Sequence, residues 1–168
     1  KVTDFKNLKK FDFGKPYFSN DQFDVYSSVE LSTQNSENIL HIIDSFLDHQ
    51  MKGDYIAINA YLPKLVKIEK QLQDFRRSLL IKTGKATTLG FGPRFLHSTG
   101  QLHKGGPDKG LFIQIIDESN IDFDIPGMGI TFKILLTAQA LGDYEALLSR
   151  GKKIILIHLK KAKISDLW

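Results

Sequence analysis

The stretch Gly90-Phe-Gly-Pro-Arg-Phe-Leu-His-Ser-Thr-Gly-Gln-Leu-His-Lys-Gly-Gly-Pro107 gathers the chain's densest set of groups able to do chemistry. Arg94, His97, Ser98, Thr99, Gln101, His103 and Lys104 alternate there with small and turn-forming residues. Arg and Lys can grip a phosphate or a carboxylate, and glycine lets the backbone approach a ligand closely. Imidazole is the side chain best matched to proton transfer near neutral pH. These types point to recognition of a small anionic molecule. The competing reading is a capped helix start with solvated polar residues.

Other chemistries fare less well. His97 and His103 lie six residues apart, which does not put both rings on one helical face, and no acidic residue separates them. A metal site is therefore not expected. No Gly-x4-Gly-Lys-Ser/Thr phosphate loop and no Gly-x-Ser-x-Gly elbow occurs. A second region runs from Phe123-Asp-Ile-Pro-Gly-Met-Gly-Ile-Thr-Phe132 into Leu135–Asp143. On a helix Gln139 and Asp143 share a face and could reach a ligand or each other. The plainer alternative is an amphipathic helix with Leu135, Ala138 and Leu141 inward. Gln114, in an apolar run, needs a partner and reads as structural.

The surrounding pattern supplies the elements that must position these groups. Residues 1–24 form an irregular, aromatic-rich arm, with Phe5, Phe11, Phe13, Tyr17, Phe18 and Phe23. Such an arm should pack on its own domain or on a partner domain. A strand is expected over Val25–Leu31, then a helix capped by Ser36 and striped with Ile39, Leu40, Ile42, Ile43, Phe46 and Leu47. Tyr55–Leu62 reads as a buried strand. Pro63 suits the first turn of a helix whose apolar stripe is Leu65, Ile68, Leu72, Phe75 and Leu79. Strands follow at Ala86–Phe91, Leu111–Ile116 and Ile154–Leu159, with a helix from Thr131 to Arg150 before the last. Arg94–Lys104 suits either a helix or a structured loop. Apolar strands alternating with helices predict an α/β domain over residues 25–168, a three-layer sandwich around a mainly parallel sheet. Loops at the carboxyl ends of such strands carry the sites.

Composition narrows the class. With 42% hydrophobic and 25% charged residues the chain can bury a core and is not disordered. No apolar run approaches the roughly 20 residues of a membrane helix, so no membrane role is expected. Lys1–Lys10 is polar and basic, unlike a signal peptide. The absence of cysteine excludes disulfides and fits a reducing cytoplasm. Because the chain opens on Lys1, a fragment of a longer protein is expected. The net charge of +4 is spread in short pairs, which speaks against nucleic acid.

His97-Ser-Thr-Gly-Gln-Leu-His-Lys-Gly-Gly-Pro107 resembles the glucose-6-phosphate isomerase part of bifunctional transaldolase/glucose-6-phosphate isomerase proteins, as does Ala138-Gln-Ala-Leu-Gly-Asp143. The resemblance spans roughly residues 53–160. It implies a sugar isomerase (SIS) domain, the second of two in a phosphoglucose isomerase. Such an enzyme interconverts glucose 6-phosphate and fructose 6-phosphate through a cis-enediol, with no metal or organic cofactor. By position His97 takes the ring-opening role. Arg94, Ser98, Thr99, Gln101, His103, Lys104 and Gln139 are expected to bind the sugar phosphate.

The resemblance also implies partners: an N-terminal SIS domain, a fused transaldolase domain and a homodimer. Departures bear on the base. Where the family has Glu-Ser-x-Gly-Lys, this chain has Arg76 and Arg77, and Glu69 lies two turns earlier. Phe123-Asp-Ile-Pro-Gly127 echoes another family string, with Ile125 in place of its Gln and Lys133 one residue from its Lys. With no convincing base, the isolated domain is expected to be inactive, and a non-catalytic sugar-phosphate-binding or assembly domain is the alternative.

Overall fold

A computed structural model describes residues 13–32, 38–118 and 122–168. Phe5, Phe11 and the expected Ser36 cap lie outside the described residues. The elements are β1 (Phe18–Ser19), β2 (Phe23–Ser27), α1 (Ile39–Leu47), β3 (Tyr55–Tyr61), α2 (Val66–Thr83), β4 (Thr87–Phe91), α3 (Thr99–Gly105), β5 (Gly110–Asp117), α4 (Phe132–Leu148) and β6 (Lys153–Leu159). Two short 3₁₀ turns, Arg94–His97 and Ile164–Leu167, complete the set.

One six-stranded sheet has the order β1-β2-β6-β5-β3-β4. β6, β5, β3 and β4 run parallel, and β2 and β1 extend the β6 edge antiparallel. This is an α/β three-layer sandwich. On one face α1, α2 and the C-terminal turn bury Ile42, Phe46, Leu72, Phe75 and Leu167 against Ile56, Ile58, Ile113 and Ile157. On the other, α4 buries Ala140, Tyr144 and Leu147 against Ala57, Phe112, Ile154 and Leu156. Alternate residues of β3 and β5 serve opposite faces, as a period of two requires, so these strands read as continuous apolar runs.

Local chemistry sets the ends. Asn38 caps α1, its Oδ1 accepting from Leu40 N at 2.9 Å. Gly84 ends α2 at φ +65°, a left-handed conformation that favours glycine. Pro63 lies before α2, which starts three residues later with Leu65 as its cap, and Leu65 is 55% exposed rather than part of the inward stripe. On α4 the buried positions are Ala140, Asp143, Tyr144 and Leu147, one register away from Leu135, Ala138 and Leu141, which are only half-buried. The helix can turn that face inward because Lys104 meets Asp143 there.

The strand expected over Val25–Leu31 begins earlier and ends sooner, at Phe23–Ser27, where the Ser27 hydroxyl turns the chain by accepting from Val29 N at 3.1 Å. The described part of the aromatic arm packs on its own domain. Phe18 and Phe23 join the first core, and Phe13 contacts the rings of Tyr26 and Tyr144. Gln114 finds its partner, Nε2 donating to Ala140 O at 2.8 Å.

Ile113 is fully buried in the central region of the sheet. Truncating Ile113→Ala should cost about 2–5 kcal/mol of stability, read as a lower urea midpoint with an unchanged slope. A loss under about 1 kcal/mol would contradict the packing described.

Candidate functional site

β3 and β5 are neighbours whose outgoing connections leave in opposite directions. From β3 the chain passes through α2 to β4, and from β5 through α4 to β6 on the other side. A crevice at the carboxyl ends of two such strands is where open α/β sheets bind ligands. One depression opens at the end of β4 and another over that crevice, with Lys64 lining the former and Pro63 the latter.

The first, about 280 Å³, lies at the end of β4. Its walls carry Lys64, Glu69, Gln73, Arg94 and Ser98 over the apolar floor of Leu89, Phe91 and Phe95. Lys64 Nζ stands 3.4 Å from Glu69 Oε1 and 5.6 Å from the centre of the Phe91 ring. Both partners of that ion pair are close to half exposed. Arg76 steadies the wall, its Nε donating to Gln73 Oε1 at 2.7 Å and its Nη1 to Thr87 Oγ1 at 3.2 Å. Arg77 instead pairs with Asp74 on the surface.

The second depression, about 220 Å³, lies over the β3–β5 crevice between Tyr61, Pro63, Ile116 and the first turns of α4. Phe123, Phe132, Leu136 and Lys133 form its rim. The α4 N-terminus beside it is already capped. Thr131 Oγ1 accepts from Ile134 N at 3.2 Å, and Asp122 Oδ1 accepts from Phe123 N and Lys133 N at 2.9 Å each.

The polar string from Arg94 divides into an outward and an inward half. Gly92 and Pro93 turn the chain away from β4, and Arg94–His97 forms a 3₁₀ turn pinned by buried Phe95. Arg94 and Ser98 line the first depression, and His97 and Thr99 are exposed and line neither depression. Gln101 ties the turn down, Nε2 donating to Leu96 O at 3.0 Å.

His103 faces the other way. It is 5% exposed, packed among Tyr55, Phe95 and Phe112, with Nδ1 unpartnered. Burial holds its pKa below the ordinary imidazole value, against the pull of Asp143. Lys104 reaches Asp143 Oδ1 at 2.8 Å. Gln139 is half-buried on α4 and lines neither depression. The structure thus gathers Arg94 and Ser98, leaves His97 and Thr99 exposed outside both depressions, and puts Gln101, His103 and Lys104 to structural use.

Three residues escaped the sequence reading: Lys64 and Gln73 as walls, and Tyr61 as the floor of the crevice. Lys64 could have been found from its place directly after a strand's carboxyl end. Gln73 and Tyr61 carry no such signal, since both belong to ordinary helix and strand patterns.

No family model matches the chain, and no curated protein matches it. Among solved structures it is similar to a hypothetical protein of Thermus thermophilus, with a TM-score of 0.59 and 21% identity, over 76% of this chain and 34% of that one. The likeness shows the fold. The chain spans about a third of that neighbour's length. Among the described residues, no helix is long and apolar enough to cross a membrane.

A Cβ on Gly92 would overlap the Tyr61 ring. Gly92→Ala should therefore lower stability by about 1–3 kcal/mol and shift the amide resonances of residues 94–98. Retention of both would show that the ring yields. A second test concerns His103, which is kept neutral by burial and is protonated more readily in the unfolded chain. Its contribution is fully present above the unfolded pKa of about 6.5 and is lost as pH falls below it. Burial lowers His158 likewise. The urea midpoint should fall from pH 8 to pH 5, and less so in His103→Phe, where only His158 of the two still titrates. Equal falls would exclude His103 as a source.

Proposed function

We propose that this chain supplies one wall of a sugar-phosphate isomerase site, the part of a C-terminal SIS domain in a glucose-6-phosphate isomerase. The observation carrying this reading is the first depression. Arg94, Lys64, Ser98 and Glu69 share a hollow at the carboxyl end of the sheet. With Gln73 beside them, that set offers two cations for an anion, a hydroxyl and an amide for sugar hydroxyls, and one carboxylate able to take a proton.

In this reading His97, exposed one residue before Ser98, moves a proton between ring oxygen and hydroxyl to open the sugar. Glu69 moves the proton between C2 and C1, and Arg94 with Lys64 holds the charge that develops on the enediol oxygens. Glu69 answers the absence of a carboxylate at Arg76 and Arg77, since it reaches the same hollow from the first turn of α2. The depression is smaller than the range of ~300–1,000 Å³ usual for enclosed ligand sites. A second α/β domain or a second copy would then close it over the ligand. That the neighbouring structure is far longer than the matched part supports such a companion. A cytoplasmic setting belongs to the proposal, and the lack of cysteine fits it.

One observation favours a second reading, in which the domain binds a sugar phosphate without turning it over. Glu69 is engaged by Lys64 at 3.4 Å, so its carboxylate must leave that ion pair before it can reach a substrate proton.

Titration with fructose 6-phosphate, followed by amide shifts and run beside a coupled isomerase assay, separates the two. Saturable shifts at Arg94–Ser98 with turnover support the isomerase. Glu69→Gln should then cost about 10²–10⁴-fold in rate while leaving the shifts in place. Shifts without turnover in the chain joined to its companion domain favour the binding module. No shifts at millimolar ligand would remove sugar-phosphate binding by this domain from consideration.

A further inference from the structure

The polar string turns two groups, His103 and Lys104, inward. Lys104 Nζ meets Asp143 Oδ1 at 2.8 Å, with the Asp143 side chain only 1% exposed and that of Lys104 20% exposed. The other carboxylate oxygen, Oδ2, is buried, as is the Tyr61 hydroxyl, and these two side chains lie close enough to interact as a hydrogen-bonding pair; His103 Nδ1 is buried without a partner among the described residues. Asp143 lies near enough to both to act on their charge states: it pushes the Tyr61 pKa upward after burial has done so, and opposes the lowering of His103. One buried carboxylate therefore sits under α3, beside the floor of the β3–β5 crevice, on the helix whose first turns line the second depression.

We infer that Asp143 is a positioning residue: through Lys104 it fixes the segment carrying Arg94, His97 and Ser98 against α4, and so sets the spacing between the two depressions. The segment has few other charged tethers. Its far end is held by Lys152, itself 5% exposed, whose Nζ donates to Gly106 O at 3.1 Å. Its near end rests on Phe95 packed against Tyr61. α3 has seven residues and no side-chain cap, too short to hold its own geometry. The Lys104–Asp143 contact falls in its last turn, where a cation also suits the exposed carbonyls.

The inference makes an asymmetric demand. Lys104→Met leaves a buried carboxylate without its cation, whereas Asp143→Asn leaves a lysine that can swing toward solvent. Breaking a buried pair from the side that strands the charge is the more damaging change. Removing both, in Lys104→Met/Asp143→Asn, should recover part of the loss. Lys104→Arg keeps the charge and a reach to the carboxylate.

Amide hydrogen exchange on the full chain reads the latch directly. Lys104→Met should speed exchange of residues 99–105 at least tenfold while β3 and β5 stay within twofold of wild type. Asp143→Asn should do less, and the double variant and Lys104→Arg should lie nearer wild type. Unchanged exchange in α3, or equal acceleration across the sheet, would overturn the inference.

The consequence for ligand rests on the sugar-phosphate reading. Fructose 6-phosphate should bind more weakly to Lys104→Met, with recovery in Lys104→Arg. Undiminished affinity alongside a loosened α3 would refute the role in setting the spacing. If wild type itself ignores the ligand, the functional reading fails, while exchange still decides whether Asp143 anchors α3.

Discussion

Strand β3 has a hydrogen-bonded neighbour on each side and a helical layer on each face, and the rest of the structure follows from that double enclosure. From Ile56 to Ala60 every residue is fully buried. Its alternate side chains must therefore suit two separate cores, one under α2 and one under α3 and α4. Right-handed crossovers that move in opposite directions along the sheet, β3 to β4 and β5 to β6, place their helices on opposite faces. α2 leaves β3 toward one face and α4 leaves β5 toward the other. The gap between those departures is the crevice, so the place where a ligand can reach the sheet is a by-product of burying its centre.

The same enclosure explains where polar groups concentrate. Asn59 and Gln114 stand side by side across β3 and β5, on the α4 face, with no solvent exposure. Gln114 satisfies its nitrogen on the α4 backbone, but its oxygen and both amide atoms of Asn59 have no protein partner. A buried amide left unpaired costs roughly 1–3 kcal/mol. The α4 face thus gives up stability at the centre of the sheet, where the opposite face presents Ile56, Ile58, Ile113 and Ile115.

Much of this was readable from residue order. The strands at Tyr55–Tyr61, Gly110–Asp117 and Lys153–Leu159 announce themselves as unbroken apolar runs between glycine-bearing turns, and α1 and α2 by their three- and four-residue spacing. Periodicity served poorly on α4, because its apolar residues surround the helix and an aspartate holds an inward position. Only the tertiary partner Lys104 makes that choice tolerable, and such a partner is invisible along the chain. Within the polar string, the types of residue were informative and their directions were not. His97 and His103 look equivalent in sequence, yet one ring reaches solvent and the other enters an aromatic cage. Glu69 was separated from Arg94 by a helix and a strand, and only the β3–α2–β4 crossover brings them to one hollow.

The first depression also shows how a modest ion pair can serve a site better than a strong one. Lys64 and Glu69 are close to half exposed and 3.4 Å apart. Pairs of this kind contribute only about 0–1 kcal/mol, because water screens them and long side chains lose freedom in forming them. In the proposed reading an arriving sugar phosphate would compete for Lys64 at little cost and so free the Glu69 carboxylate. Arg94, exposed and near the same hollow, adds a guanidinium that no buried acid claims among the described residues. The pair buried beneath, Lys104 with Asp143, cannot be opened so cheaply, since separating it strands a charge away from water. One lysine–carboxylate pair is thus loose enough to yield to a ligand, and the other is tight enough to hold the segment to which that ligand would bind.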